Sequence, residues 1–168
     1  MHLTWCTSIS SNLLPTLNRV SPSKTKFIPD LHEPIYQEVE MRLREWIPSA
    51  TSFSRSSFYG IRVYTSGSIL APHVDRDPLI SSAIINVGQD VDEEWPLEVY
   101  DHEGLAHNIT MAPGDVVLYE SHSVLHGRPF PLRGKYFANI FVHFKPLFGG
   151  EDGEEVGEEA VTENMDEL

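Results

Sequence analysis

The segment APHVDRDP, residues 71 to 78, places a histidine and an aspartate two positions apart. Imidazole nitrogens and carboxylate oxygens are both common metal ligands, so His73 and Asp75 could hold one metal ion together. The same polar residues, flanked by Pro72 and Pro78, could equally form a solvated turn at the end of a strand. The spacing alone does not decide between these interpretations, because so short a motif also arises by chance.

A metal site needs a further ligand, and the segment YESHSVLHGRPFP offers His122 and His126. His126 is the better candidate, because it stands at the edge between a loop and an apolar stretch, where a side chain can point into the mouth of a barrel. Two imidazoles and one carboxylate on one face of a metal are the ligand set of non-heme iron(II) oxygenases. Zinc tolerates similar ligands but usually in a closed or nearly closed tetrahedral site.

The other histidines lack a partner at ligand spacing, and we expect them on the surface or as ordinary core residues. His143 falls in the last predicted strand, where it would pack or support the ligands. The histidines that we expect on the surface or as ordinary core residues are His32, His102, His107 and His122.

If the open face of such an iron site binds a 2-oxo dicarboxylic acid, a buried cation must meet the far carboxylate. Lys135, nine residues after His126 at the start of the last strand, is the first choice, and Arg133 is its rival. Arg128 follows His126 so closely that we expect it not to reach the far end of the ligand. Alternatively, all three cations are solvated loop residues.

His73-Val-Asp75, His126-Gly-x-Pro and Gly134-Lys135 before an aromatic strand resemble the 2-oxoglutarate- and iron(II)-dependent dioxygenases, in particular the branch of the prolyl 4-hydroxylases. The likeness covers roughly residues 59 to 146. It implies iron(II) held by the two histidines and the aspartate, and 2-oxoglutarate bound by Lys135 or Arg133. It also implies hydroxylation of an unactivated C–H bond with dioxygen, release of succinate and CO2, and ascorbate as a helper.

Two positions depart from the prolyl hydroxylase pattern. Leu70 stands where those enzymes commonly carry a tyrosine, and Tyr64 is the nearest phenol that could bind the cosubstrate instead. Trp95-Pro-Leu-Glu98 replaces their Gly-Gly-x-Thr segment. Both departures leave the iron chemistry intact. They do not identify the primary substrate, which is a peptide or a small molecule.

The pattern of apolar residues predicts one helix followed by strands. Ile35, Val39 and Leu43 recur at helical spacing between Pro34 and Pro48, and about six short alternating or β-branched runs follow, separated by turn signals. We therefore expect a mainly β protein with a flanking helix and a double-stranded β-helix (jelly-roll) core. The predicted division is an irregular lead-in over 1–30, a dioxygenase domain over 31–148 and an acidic disordered tail over 149–168.

Composition narrows the classes of function. The net charge is −13, but residues 151–168 hold nine of the 25 acids and no base. Without a basic patch, nucleic acid is a poor partner, and no apolar run is long enough to predict a membrane span. The single cysteine permits a reducing compartment, so we expect a cytoplasmic or other intracellular location. The terminal Asp-Glu-Leu is weak support for the endoplasmic reticulum.

Two functions of other classes compete with the oxygenase. The first is a non-catalytic jelly-roll module that binds a metal or ligand, in which case Lys135 would have no use as a cation beside the open face. The second is an iron-free hydrolase, which the sequence supports poorly, since it has no nucleophile elbow and only Cys6 as a thiol.

Overall fold

The computed structural model describes the backbone of residues 4–8 and 29–149 and the side chains of residues 30–149. In chain order these described residues form one helix and nine strands. They are β1 (Thr4–Ser8), α1 (Pro29–Trp46), β2 (Ser52–Thr65), β3 (Leu70–His73), β4 (Ser81–Val91), β5 (Leu97–Tyr100), β6 (Ala106–Ile109), β7 (Asp115–Tyr119), β8 (His126–Arg128) and β9 (Gly134–Leu147).

The strands form two antiparallel sheets. One has five strands in the order β1-β7-β4-β9-β2, and the other has four in the order β3-β8-β5-β6. Strands distant in sequence are neighbours in both sheets, which is the connectivity of a jelly roll rather than of a simple meander. The predicted mainly β fold with a double-stranded β-helix core is thereby confirmed.

The five-stranded sheet is covered on both faces, which explains why β4 and β9 read as nearly continuous apolar runs. On one face, alternate strand residues such as Ile85 and Ile140 pack against Ile35, Val39 and Leu43 of α1. On the other face, Ile84 and its neighbours pack against the four-stranded sheet. The space between the two sheets is the interior of the jelly roll, and it holds the site described below.

Helix α1 begins five residues earlier than the apolar spacing predicts. Pro34, where the apolar pattern starts, lies inside the helix, at the cost of one backbone hydrogen bond. The pairs Arg42–Glu38 and Arg44–Glu40 link successive turns of the helix. No helix in the described residues combines the length and apolar character that crossing a bilayer would require.

The lead-in predicted to be irregular contains a strand. Thr4–Ser8 pairs with β7 from Thr4 opposite Tyr119 to Ser8 opposite Asp115. The backbone hydrogen bonds of an edge strand do not depend on side-chain periodicity, and this is why the sequence pattern missed it. The acidic tail predicted to be disordered lies outside the described residues beyond Gly149.

Candidate metal centre

The two histidines of the predicted site face each other across two neighbouring strands. His73 ends β3, His126 begins β8, and the two residues are direct register partners. Side chains at directly opposed positions of an antiparallel pair lie on the same face and close together. The imidazole centroids are accordingly 4.5 Å apart.

Gly127 allows this close approach of β3 and β8. A Cβ atom at this position would lie 2.8 Å from the Leu70 carbonyl oxygen and 2.8 Å from Pro72 Cα. Both are backbone atoms, so neither can move aside as the end of a flexible side chain would. Glycine is therefore required where β8 crosses the end of β3.

Asp75 completes the group from the turn that follows β3. Its backbone N–H donates to the Ser121 carbonyl at 2.8 Å, and its own carbonyl is 2.9 Å from His122 Nδ1. These contacts hold the turn against the loop before β8, with Asp75 Oδ1 3.5 Å from His73 Nε2. One ligand atom from each of His73, Asp75 and His126 lies within 4.8 Å of the other two. No other such group of three occurs among the described residues.

Backbone carbonyls fix the tautomer of both imidazoles. His73 Nδ1 is 2.8 Å from the Ala71 carbonyl, and His126 Nδ1 is 3.0 Å from the Val124 carbonyl. A carbonyl oxygen can only accept, so each Nδ1 carries the proton and each Nε2 keeps a free lone pair. Metal-binding histidines in proteins are commonly held in this way.

Electrostatics also favour a cation here. Burial lowers the pKa of His126 below its ordinary value, and the neighbouring His73 acts in the same direction. A lowered pKa keeps the imidazole neutral, as metal binding requires. Two nitrogens and one carboxylate oxygen, converging from one side, suit a divalent metal such as iron(II) that retains open positions for other ligands.

His143 lies behind the carboxylate, as the sequence pattern predicted for a supporting residue. Its Nδ1 is 3.8 Å from Asp75 Oδ2 and 2.5 Å from Ser82 Oγ. Ser82 Oγ is also 2.5 Å from Ser121 Oγ, which donates to the Leu79 carbonyl at 2.8 Å. The Leu79 carbonyl can only accept, so the Ser121 hydroxyl donates to it. Ser82 therefore donates to Ser121, and His143 Nδ1–H donates to Ser82.

The ligands open into a cavity of about 200 Å³ between the two sheets. Apolar side chains form much of its wall, and phenols, an arginine and the histidines supply its polar groups. Its lining consists of Tyr59, Arg62, Tyr64, Leu70, His73, Asp75, Leu79, Ile84, Tyr119, His126, Phe141 and His143. Tyr64, predicted to bind the cosubstrate, is in this set.

Lys135 and Arg133 are not brought to the cavity. The Lys135 side chain is 81% exposed and its Nζ is 2.7 Å from Asp90 Oδ2, while Arg133 pairs with Glu93 on the surface at 3.2 Å. The strand pairing is irregular between Asp90 and Val91, opposite the start of β9, and irregularities of this kind re-aim side chains. The predicted role of these two cations thus lacks the geometry that it needs.

A buried arginine that the sequence analysis set aside lies in the interior instead. Arg128 is 1% exposed, and its guanidinium carbon lies 4.8 Å from the ring centroids of Trp95 and Phe137. His122, predicted to lie outside the ligand group, is indeed outside it. The signal that could have singled out Arg128 is its position two residues after His126, on the same face of the strand.

No protein-family profile matches the sequence, and no curated protein sequence matches it significantly. Solved structures do match. A Pseudomonas putida prolyl-4-hydroxylase superposes with a TM-score of 0.61 at 14% identity, over 87% of this chain and 94% of its own.

Two further structures give the same result. A viral collagen prolyl hydroxylase from Paramecium bursaria Chlorella virus-1, solved as a 2OG complex, has a TM-score of 0.61 at 13% identity, over 86% of this chain and 96% of its own. A 2OG-Fe(II) oxygenase family oxidoreductase from Burkholderia pseudomallei has a TM-score of 0.59 at 13% identity, over 70% of this chain and 57% of its own. The chain therefore has the double-stranded β-helix fold of these oxygenase structures.

Proposed function

We propose that this protein is an iron(II)- and 2-oxoglutarate-dependent dioxygenase that hydroxylates an unactivated C–H bond. In this reaction, dioxygen and 2-oxoglutarate are consumed, one oxygen atom enters the substrate as a hydroxyl group, and the other enters succinate as CO2 is released. The observation that carries the proposal is the convergence of His73, Asp75 and His126, with both Nε2 lone pairs free. The fold of the matching oxygenase structures supports the same conclusion.

The residues of this chain would divide the work as follows. His73, Asp75 and His126 would hold the metal, which together with the cosubstrate supplies the oxidising chemistry. The backbone hydrogen bond from Asp75 to Ser121 would keep the carboxylate in place, with the His143 ring fixed 3.8 Å behind it by Ser82. Apolar walls such as Ile84 and Phe141 exclude bulk water from the interior side of the ligands.

The substrate would approach from the side where the site meets solvent. The His73 side chain is 41% exposed, and Tyr59 and Arg62, which line the cavity, are exposed as well. Val74, between two of the ligands, is also exposed. An open rim with aromatic, apolar and cationic groups could admit a peptide segment or a small molecule, and we propose both as substrate classes.

Succinate release tests the proposal. The protein is loaded with iron(II) in the absence of oxygen and is then exposed to oxygen. It should convert 2-oxoglutarate to succinate slowly when no substrate is present. The conversion should be faster with a substrate from a panel of proline-containing peptides and small molecules. Ascorbate is included to maintain ferrous iron. Asp75→Ala should abolish the signal, and His102→Ala, an exposed histidine outside the site, should retain it. A protein that binds metal yet releases no succinate would instead be the non-catalytic binding module.

A further inference from the structure

Strand β2 contains a β-bulge beside the metal cavity. Between Phe58 and Ile61 the register with β9 shifts by one, so two residues of β2 stand opposite Phe141 alone. Gly60, inside the bulge, has a φ of 55°, a left-handed conformation that glycine adopts without strain. Bulges re-aim the side chains of the strand that carries them, and they are frequent beside active sites.

The bulge brings Tyr59 and Arg62 to the same face of β2. In a regular strand, residues three positions apart point to opposite faces of the sheet. Phe58 and Ile61 pack on the side of α1, in the outer layer of the core. Tyr59 and Arg62 both line the metal cavity on the other side of the sheet. Without the extra residue, only one of the two could reach the cavity.

The charge of Arg62 is not neutralised by the protein. Most arginines and lysines of residues 30–149 form an ion pair with an aspartate or glutamate, namely Arg42, Arg44, Arg55, Arg133, Lys135 and Lys145. Arg62 forms none within these residues, and its guanidinium carbon lies 5.9 Å from the centroid of the Phe141 ring. Among the described residues that line the cavity, Asp75 is the only carboxylate, and it is a proposed metal ligand. The guanidinium of Arg62 is therefore available to a ligand that enters the cavity.

Arg62 stands at the mouth of the cavity. It is exposed, and Tyr59 is 49% exposed, whereas Tyr64, two residues further along β2, is only 8% exposed. A side chain at the boundary with solvent meets the part of a ligand that projects from the cavity. The primary substrate of the proposed reaction would approach from this side, so Arg62 is placed to contact the substrate.

The chemistry of the pair suits a carboxylate. A guanidinium presents a planar fork of N–H donors that matches the two oxygens of a carboxylate, and the hydroxyl of Tyr59 can donate as well. Arg62 is the only arginine or lysine among the described residues that line the cavity. One cation balances the single charge of a carboxylate, whereas a phosphate monoester carries a charge closer to −2 and would remain partly unbalanced.

We propose that the primary substrate carries a carboxylate, which Arg62 and Tyr59 bind at the mouth of the metal cavity. This inference rests on the proposed function and names the class of substrate for it. The class includes small carboxylic acids and peptides with an acidic side chain or a free C-terminus. Binding of the carboxylate at the mouth would hold the rest of the substrate over the metal ligands, where its C–H bond can be positioned.

The test measures binding by NMR titration of the Zn(II)-loaded protein, with and without 2-oxoglutarate. The probes are a panel of N-acetyl amino acids and N-acetyl dipeptides, each as the free acid and as the primary amide of the same size. At least one acid should bind about tenfold more tightly than its amide, the lower end of what hydrogen bonds to a charged group contribute. The preference should shrink as salt is added, because salt screens an exposed ion pair.

Variants of Arg62 assign the preference to its charge. Arg62→Gln should abolish the preference for acids over amides, Arg62→Lys should retain part of it, and Arg62→Glu should reverse it. Tyr59→Phe should reduce it by a smaller factor, because only one donor is lost. Arg133→Gln is the matched control, since it alters an exposed arginine that does not line the cavity, and it should keep the wild-type preference. All of these side chains are exposed, so the melting temperatures should stay close to that of the wild type.

Three results would overturn the proposal. The first is equal binding of acids and amides by the wild type, and the second is a preference for acids that survives in Arg62→Gln. The third concerns the cosubstrate: Arg62→Gln should bind 2-oxoglutarate as the wild type does, and a loss of about tenfold or more would mean that Arg62 serves 2-oxoglutarate instead. If the metal-loaded wild type does not bind 2-oxoglutarate at all, the proposed function itself fails, and this result is read separately from the comparison of acids with amides.

Discussion

His73 and His126 are register partners across β3 and β8, and their ring centroids lie 4.5 Å apart. Two of the three proposed ligands are thus placed by strand pairing rather than by a loop. Asp75 is added from the adjoining turn, which is tied to Ser121 by a backbone hydrogen bond. The metal affinity should therefore depend on the strand register as well as on the ligands themselves.

Loss of a ligand should weaken metal binding strongly. We expect Asp75→Asn to lower the affinity for Zn(II) or Co(II) by more than about 100-fold, since loss of partners outside the ligand set already costs about 10- to 100-fold. The measurement is competition with a chromophoric chelator. His102→Asn, which alters an exposed histidine paired with Glu120, should keep the wild-type affinity. Equal affinities in the two variants would place the metal elsewhere.

Gly127→Ala should damage the site without touching a ligand. The new methyl group would meet the backbone of Leu70 and Pro72 at 2.8 Å, so β3 and β8 must separate. We expect a loss of about 1 to 3 kcal/mol in unfolding free energy, together with weaker metal binding. Gly88→Ala is the matched control, because its methyl group would meet only the Tyr136 side chain, at an ordinary 3.6 Å. Urea unfolding of both variants tests this, and similar losses would argue against close strand contact.

Removal of Ser82 Oγ should leave His143 Nδ1–H buried without an acceptor. Such a group costs about 1 to 3 kcal/mol, and we expect Ser82→Ala to lose stability in that range. Ser56→Ala removes a hydrogen bond of similar type, to the Pro78 carbonyl at 3.0 Å, but at an exposed position. Chemical denaturation should therefore show a larger loss of unfolding free energy for Ser82→Ala than for Ser56→Ala. The reverse order would contradict the assignment of His143 as the donor to Ser82.

The metal-free protein should lose stability in mild acid because of His143. Burial lowers the pKa of this imidazole to about 4, whereas the unfolded chain has an ordinary histidine pKa of about 6.5. Between these values the unfolded state binds more protons, so the contribution is complete above about pH 6.5 and is lost as the pH falls towards 4. It amounts to about 3 kcal/mol.

Unfolding free energies measured across this range check the prediction. His143→Gln should flatten the pH dependence, and His102→Gln, at an exposed position, should leave it as in the wild type. An unchanged slope in His143→Gln would mean that His143 is not buried as a neutral group. His126, whose pKa is also lowered, contributes in the same direction.

The sequence predicted the jelly-roll class and brought together three residues from distant segments, because strand periodicity and ligand chemistry are both local signals. It also pointed to Tyr64, nine residues before His73, which lines the same cavity and whose role in binding the cosubstrate stays a prediction. It did not reveal β1, whose order comes from backbone pairing with β7. An edge strand of this kind leaves no alternation of apolar residues to be recognised.

The cations show a different limit of sequence reasoning. Lys135 has the required charge, and it is two residues from the buried Phe137, so strand alternation predicts that it faces the interior. It lies, however, where the pairing of β4 and β9 becomes irregular and the strand is exposed to solvent. Arg128 was set aside on sequence distance, yet of the three cations it is the buried one. Which of two cations is buried depends on how the sheets cover each strand, and this is a property of the tertiary structure.

Strand β8 has only three residues, His126, Gly127 and Arg128, and its middle residue is pressed against β3. Because the contacts of Gly127 are with backbone atoms, β8 cannot slide along β3, and His126 keeps its position before a metal arrives. The imidazole side of the site is therefore pre-organised, and binding of a metal should require little rearrangement of the two strands.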